Sequence, residues 1–377
     1  MEVTILTGKP NYPEGKIFDG YKAWGIQHEV YSGFEVIRIP LRQRGKNSGK
    51  ALALNYLSFI VSGYLFAPFA LRGKKFDIVF VYGVSPLLQA LPSVYLAWLK
   101  RASLVLWIQD IWPESLVATK FVKNKWILGS VEIAVRYIYH FTDCILIQSE
   151  AFRASVERRV GKIDKICYFP NSAQNFCSEL PVNGVSQNIK GFSVVFAGNI
   201  GLVQSCETII EAAQLLRQNE NIKFYLVGDG SAFEAIKKSI ADKGLSNIIL
   251  TGRVPAEEMN AIYSAASVLL LTLIDNETIA STIPTKLQSY LAAGKPIIVS
   301  SNGESANILI KAKAGLTCPA EDSNALAKAV LKLHNLPLEE LNFYGNNGLE
   351  YFKRHYNIQN CSVELIRLFK NVVSTNK

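Results

Sequence analysis

Short apolar runs alternate with segments of helical spacing along the chain, and the alternation occurs twice. The first series reads "EVTILTG" (2–8), "FEVIRIPL" (34–41), "DIVFVYG" (77–83), "SLVLWIQD" (103–110) and "CILIQS" (144–149). Helical segments such as "SVEIAVRYIYHF" (130–141) and "EAFRASVERRVG" (150–161) follow the later runs. A polar, strand-poor passage, 171–191, interrupts the pattern. The second series is more regular, with strands at 192–201, 222–230, 248–255, 268–274 and 296–300 and helices at 206–218, 232–244, 256–266 and within 281–300. Runs this short and continuous suit strands buried on both faces, and the helices between them supply parallel crossovers. The pattern predicts an α/β protein of two Rossmann-like domains, 1–185 and 186–377, with the last helix packing back on the first. At 377 residues, length also favours two cores over one.

Two runs are long enough to be weighed as membrane spans. "ALALNYLSFIVSGYLFAPFAL" (51–71) is interrupted by Asn55, Ser58, Ser62 and Pro68. The run at 79–99 carries Ser85, Pro86, Gln89 and Pro92, and reads as a buried strand, a turn and a helix. Basic residues flank the first run (Lys46, Lys50, Arg72, Lys74, Lys75), which suits a helix half-buried in the fold or lying in a bilayer interface. Charge is lopsided in the same sense. Up to residue 180 there are 22 Lys and Arg against 14 Asp and Glu, and beyond it 18 against 17, so +8 of the net +9 lies in the first part. The clusters "RQRGK" (42–46) and "RGKK" (72–75) adjoin apolar runs, which favours an anionic membrane face over nucleic acid; an ordinary solubilising surface is the alternative. Six cysteines without a CxxC pair, four scattered histidines and no HExxH give neither a disulfide framework nor a metal centre. With no leader pattern at the start, a reducing cytoplasm is the expected compartment.

In an open parallel sheet the ligand sits at the carboxyl ends of the strands. Those positions in the second series carry "GNIG" (198–201), "GDG" (228–230), "GR" (252–253) and the segment opening "TIPTKLQSYLAAGKP" (282–296). Glycine lets backbone N–H groups approach an anion, and a helix start adds unpaired donors and positive dipole, so the series points to a phosphate-bearing ligand. Singly each is ordinary: a tight turn at 228–230, a surface Arg253, a helix C-cap at Gly294. No carboxylate lies between Glu277 and Glu304, which leaves Lys286 as the charge at the front of the helix.

Taken with "PNYPEGK" (10–16), "LNYLSF" (54–59), "SPLLQA" (85–90), "QDIWPES" (109–115), "AGNIG" (197–201), "LVGDG" (226–230), "GRVP" (252–255) and "YLAAGKPI" (290–297), the chain resembles the GT-B retaining glycosyltransferases. Within them it is similar to the bacterial O-antigen and capsule enzymes that include the N-acetyl-L-fucosamine transferases. The resemblance implies two Rossmann-like domains facing a cleft, with the donor on the C-terminal domain and the acceptor on the N-terminal one. It implies transfer of a sugar, N-acetyl-L-fucosamine or a related amino sugar, from a nucleotide diphosphate, UDP before GDP, without metal or cofactor. The implied acceptor is a polyprenyl-diphosphate-linked sugar at the cytoplasmic membrane surface, and the anomeric configuration is retained. A strand–helix unit normally precedes the counterpart of "EVTILTG", so the N-terminal domain is expected to lack its first unit here.

Residue by residue, the resemblance is uneven. The superfamily's diphosphate-gripping arginine and lysine fall on Asn199 and Gln204, and its two glutamates eight residues apart fall on Ser281 and Ser289. Lys286 and Arg253 are then the nearest cations, and Lys286 is assigned the catalytic part of stabilising the leaving group, a solvated helix residue being its alternative. Gly198, Asn199, Gly201, Gln204, Thr282 and Ser289 complete the donor side. Asn11, Tyr12, Asp110 and Glu114 stand on the acceptor side, with Asp110 orienting or deprotonating the acceptor. An Asx turn or helix cap ahead of Pro113 is the alternative for Asp110, and a first-turn helix acid the alternative for Glu114. Two other functions share the pattern: a sugar-nucleotide epimerase on the same fold, and a non-catalytic nucleotide-binding subunit.

Overall fold

In the computed structural model, which describes residues 1–375 except 13, 46–48, 119–121, 162 and 174–183, the chain divides into two units. Lys46 and the middle of the polar passage, Cys177 included, lie outside the described residues. One unit comprises Met1–Ile147, Arg153–Tyr168 and Arg367–Lys377; the other comprises Gln148–Phe152 and Phe169–Ile366. The described ends of the polar passage are tied into the second unit. Ala173 forms a β-bridge with Asn357. The Tyr225 hydroxyl donates to the Asn188 carbonyl and accepts from the Lys190 N–H.

The first unit begins with β1 (Thr4–Gly8), β2 (Gln27–Tyr31) and β3 (Phe34–Ile39), ordered β1-β3-β2, with β1 parallel and β2 antiparallel to β3. No apolar run marks β2, whose first three residues are Gln27, His28 and Glu29. It forms because Ser32 and Gly33, at φ +50° and +83°, make the two-residue turn whose twist matches paired strands. Then come α1 (Gly49–Ala70), β4 (Ile78–Gly83), α2 (Leu91–Lys100), β5 (Ser103–Ile108), α3 (Glu114–Ala118) and α4 (Lys125–Phe141). β6 (Cys144–Ile147), α5 (Arg153–Val160) and the short β7 (Ile166–Tyr168) follow. β4 to β7 form a separate, wholly parallel sheet in sequential order. The run at 79–99 is thus strand, turn and helix, and the run at 51–71 lies almost entirely within one helix. Asn124 starts α4 by accepting from the Trp126 and Ile127 N–H groups.

The second unit alternates strictly. β8 (Phe192–Ala197), α6 (Cys206–Leu215), β9 (Ile222–Val227), α7 (Phe233–Asp242), β10 (Ile248–Gly252) and α8 (Met259–Ala265) make its first half. β11 (Val268–Thr272), α9 (Glu277–Ala280), α10 (Thr285–Ala292), β12 (Ile297–Ser300), α11 (Glu304–Ala312) and β13 (Gly315–Cys318) make its second. Three helices close the chain, α12 (Ser323–His334), α13 (Leu338–His355) and α14 (Ile358–Thr375). The six strands are parallel in the order β10-β9-β8-β11-β12-β13. Alternate residues feed two cores. Val194, Phe196 and Leu270 pack with α6 and α12 on one face, and Val195, Ala197 and Leu271 with α8, α10 and α11 on the other. The order of strand addition reverses between β8 and β11, and a crevice for ligand opens at the carboxyl ends of such a pair.

Candidate functional site

At that reversal two glycine loops are pressed together. Gly198 and Gly228 have φ of +134° and +138°, a conformation L side chains rarely adopt. A Cβ on Gly228 would lie 1.9 Å from the Gly198 carbonyl oxygen, and one on Gly230 would lie 2.4 Å from that of Ile200. Backbone bonds lock the contact: Gly198 N–H donates to the Val227 carbonyl at 2.8 Å, and Ile200 N–H to Asp229 at 2.9 Å. Only glycine fits these positions. Gly228→Ala is therefore expected to cost about 2 kcal/mol through backbone displacement, read as a lowered melting temperature.

Gln204 belongs to the same loop but holds it shut. Its Oε1 accepts from the Gly201 N–H at 3.1 Å and the Asn199 Nδ2 at 3.4 Å. The Thr272 hydroxyl at the end of β11 donates to the Gln204 carbonyl at 2.5 Å. Gln204 is thus a neutral brace of the loop through its Oε1. Asn199 is exposed at the tip of the loop.

Lys286, in the first turn of α10, reaches this loop from nearly ninety positions along the chain. Its Nζ stands 3.1 Å from where a Gly198 Cβ would be, and 4.0 Å from the centroid of the Phe196 ring. The Nζ is buried and, among the described residues, has no hydrogen-bond partner. Burial lowers its pKa to about 8, with the nearby Cys206 thiol a smaller influence in the opposite direction. Burying an ammonium without a hydrogen-bond partner is costly, and such groups cluster at functional sites.

The other donor-side residues divide. Ser289 is one turn on from Lys286 and shares its helix face. The Thr282 hydroxyl donates to the Thr278 and Ile279 carbonyls and closes α9, so it braces the approach to α10. Arg253 is exposed one residue past β10, two strands from β8, and the structure does not bring it to Lys286.

The first unit has its own polar cluster at strand ends. The Ser85 hydroxyl, just after β4, donates to Asp110 Oδ2 at 2.7 Å, and the indole N–H of buried Trp112 donates to Ser85 Oγ at 3.0 Å. Ser85 is the residue that sequence reasoning missed; its position ahead of a proline at a strand end was the available signal. Asp110 is half-exposed and oriented by this relay. Glu114 has a different role. Both its oxygens accept from Arg159 Nη2, at 2.9 and 3.0 Å, and Oε1 also accepts from Ser155 at 2.8 Å. Those partners hold it in the fold. Asn11 is buried, its Nδ2 donating to the Lys9 carbonyl, whereas Tyr12 is exposed under the Arg44 guanidinium.

Comparison with known proteins agrees with this geometry. Residues 1–172 match the glycosyl transferase 4-like domain and residues 191–335 match glycosyl transferases group 1. Among solved structures, HepE of Anabaena in complex with UDP superposes with a TM-score of 0.68 at 12% identity, over 85% of this chain and 84% of that one. Sucrose-phosphate synthase of Thermosynechococcus elongatus gives 0.70 at 17% identity, over 99% and 90%. These likenesses and the strand-end loops define a glycosyltransferase of the GT-B fold. More particularly, the chain is similar over residues 191–335 to glycosyl transferases group 1. Its relatives include the probable glycosyltransferase WbjE of Pseudomonas aeruginosa, 27% identical over 319 residues, covering 81% of this chain and 77% of that protein. The putative colanic acid biosynthesis glycosyl transferase WcaI of Escherichia coli K12 is 26% identical over 317 residues, covering 80% and 75%.

Proposed function

We propose that this protein transfers a sugar from a UDP-sugar to a lipid-linked acceptor during assembly of a surface polysaccharide of the O-antigen or capsule kind. The observation that carries the reading is the buried, unpaired Lys286 ammonium against the Gly198 loop at the strand reversal. A relative's name that specifies colanic acid biosynthesis supports the pathway class, and a neighbour solved with UDP supports the nucleotide. N-acetyl-L-fucosamine or a related amino sugar is the proposed cargo, and the inner membrane face the proposed place of work.

In the proposed reaction the bond from sugar C1 to the β-phosphate oxygen breaks and a bond from C1 to the acceptor oxygen forms on the same face. UDP leaves with the electron pair, and the acceptor's proton passes to the departing phosphate. Negative charge grows on that phosphate as the bond breaks, so Lys286 and the first N–H groups of α10 stabilise the transition state more than the ground state. Asp110, aligned by Ser85, orients the acceptor hydroxyl, and neither metal nor cofactor enters the scheme. Asp110→Asn is expected to lower kcat/KM for acceptor about tenfold, and Ser85→Ala by a smaller factor, with UDP affinity unchanged in both.

Nucleotide release from a panel of UDP- and GDP-sugars, with and without membrane lipid extract, tests the reading. Release that needs both a UDP-sugar and the extract is the expected result, and the anomeric proton of the product reports retention. Sugar interconversion without acceptor would favour the epimerase, and UDP binding without turnover the non-catalytic subunit.

A further inference from the structure

The helix α1 is inside out for a soluble protein. Its buried residues are Asn55, Ser62, Gly63 and Ala67, whereas Leu57, Val61, Leu65 and Phe69, at i, i+4, i+8 and i+12, form an exposed stripe. Leu57 is 54% exposed, Leu65 57% and Phe69 74%. The small and polar residues are inward because the helix is clamped there. A Cβ on Gly63 would meet Pro92 of α2 at 2.6 Å, and Asn55 Nδ2 donates to the Arg42 carbonyl at 2.5 Å. By length and composition α1 could cross a membrane, but this clamp commits one face of it to the fold.

The stripe does not end with α1. Tyr64 lies 5.8 Å from Tyr95, ring to ring, and Tyr95 stacks on Trp98 of α2 at 6.0 Å. Trp98 is 74% exposed. α4 buries an ordinary apolar face, Val131, Val135 and Ile138, yet also exposes Trp126, Ile133, Tyr137 and Phe141 along one line. Exposed Arg72, Lys75 and Arg101 follow the C-terminal ends of α1 and α2, which are joined where the Lys100 ammonium donates to the Leu71 and Lys74 carbonyls. No Asp, Glu, Lys or Arg occurs between Lys50 and Arg72.

We propose that the first unit docks through α1, α2 and α4 on a bilayer surface containing anionic phospholipid, the apolar stripe entering the acyl boundary and the basic rim meeting the head groups. The surface deepens the transfer reading, on which it rests for the lipid-linked acceptor. Its chemistry fits this partner in three ways. The stripe from Leu57 to Phe69 runs about 18 Å along a helix about 33 Å long. Tryptophan and tyrosine stand where an interface places them. The rim cations match an anionic leaflet, and an apolar area of this kind marks a binding surface in a soluble protein.

The test needs no sugar donor, so its failure is separable from failure of the transfer reading. The full chain is sedimented with vesicles of phosphatidylcholine alone and of phosphatidylcholine with about 30% phosphatidylglycerol. Binding to the anionic vesicles is expected to weaken roughly tenfold or more in the double variant Leu57→Asp/Leu65→Asp, and to weaken in salt and in Arg72→Glu/Lys75→Glu. Unchanged thermal melts of these surface variants confirm folding. Absence of vesicle binding, or equal binding by the variants, would overturn the proposal. So would a dimer that Leu57→Asp/Leu65→Asp dissociates, because the stripe would then be covered by a second copy.

Discussion

Replacing Lys286 with alanine is expected to lower turnover of the sugar donor by about 10²–10³-fold with the fold intact, the loss seen when one preorganised stabiliser of a leaving group is removed. A second measurement isolates the charge. The Lys286 pKa falls from 10.5 to about 8 by burial, so the folded chain binds fewer protons than the unfolded one between those values. Stability contributed by this group therefore rises with pH across that window, and below about pH 8 the full penalty of holding the unpaired charge is present. Lys286→Met, which keeps the length and packs on Phe196, is expected to melt higher than the wild type at about pH 7, by up to about 3 kcal/mol, with the gain fading toward about pH 10.5. UDP binding should reverse the shift. Its phosphates restore the proton, so calorimetry in buffers of different ionisation enthalpy is expected to record proton uptake above about pH 8. Donor affinity should fall in the same range. A lysine that titrates without regard to UDP would place the anion elsewhere.

Arg159→Ala is expected to destabilise the protein by about 3 kcal/mol in urea titration, because it takes the cation from Glu114 and leaves Glu132 with Arg136 alone. The Arg159 side chain is only 10% exposed; it bonds Glu114 with Nη2 and Glu132 with Nε, and donates to the Ser155 carbonyl. Burial pushes the Glu132 carboxyl up, but the bonds from Arg159 and Arg136 outweigh it and hold the pKa below the usual carboxylate range. A depressed acid stabilises the fold above its unfolded pKa, near 4.5, and loses that contribution as pH falls through the folded value. The difference between wild type and Arg159→Ala should accordingly narrow in acid. Arg159→Lys should recover only part of the loss, since a single ammonium cannot serve both carboxylates in the fork geometry. Equal urea midpoints for wild type and Arg159→Ala would rule out this anchoring.

Strands with no polar obligations were the easiest to read. β11 and β12 are buried along their whole length and are apolar up to their last residues, Thr272 and Ser300, and β8 and β9 are buried but for one residue each. β2 was illegible because an edge strand paired on one side tolerates polar residues, and its Ser32-Gly33 turn is short. β7 has three residues, too few for periodicity to register. Site residues followed the same logic. Lys286 stands out in the sequence as the cation at a helix start in a stretch without carboxylates. Its burial over Phe196 depends on the parallel pairing of β8 with β11, which no local spacing encodes. Glu114 and Arg159 are 45 positions apart, so their pairing has no local signature. The hydrogen bonds that join Gln204 and Thr282 to backbone groups likewise leave no trace in composition.

The helix α14 carries a consequence for synthesis. Its residues divide between the units at Ile366 and Arg367, and Phe369 packs edge-on against Phe80 of β4 at 5.3 Å. The strand that Phe369 covers is made before the bulk of the second unit, yet its cover leaves the ribosome only after it. The first unit therefore cannot complete its packing as translation proceeds from it, and the second unit is fully synthesised before the first is finished. A nascent chain stalled before Phe369 would leave the aromatic face of β4 bare, with Phe80 and the neighbouring Trp107 open to chaperones.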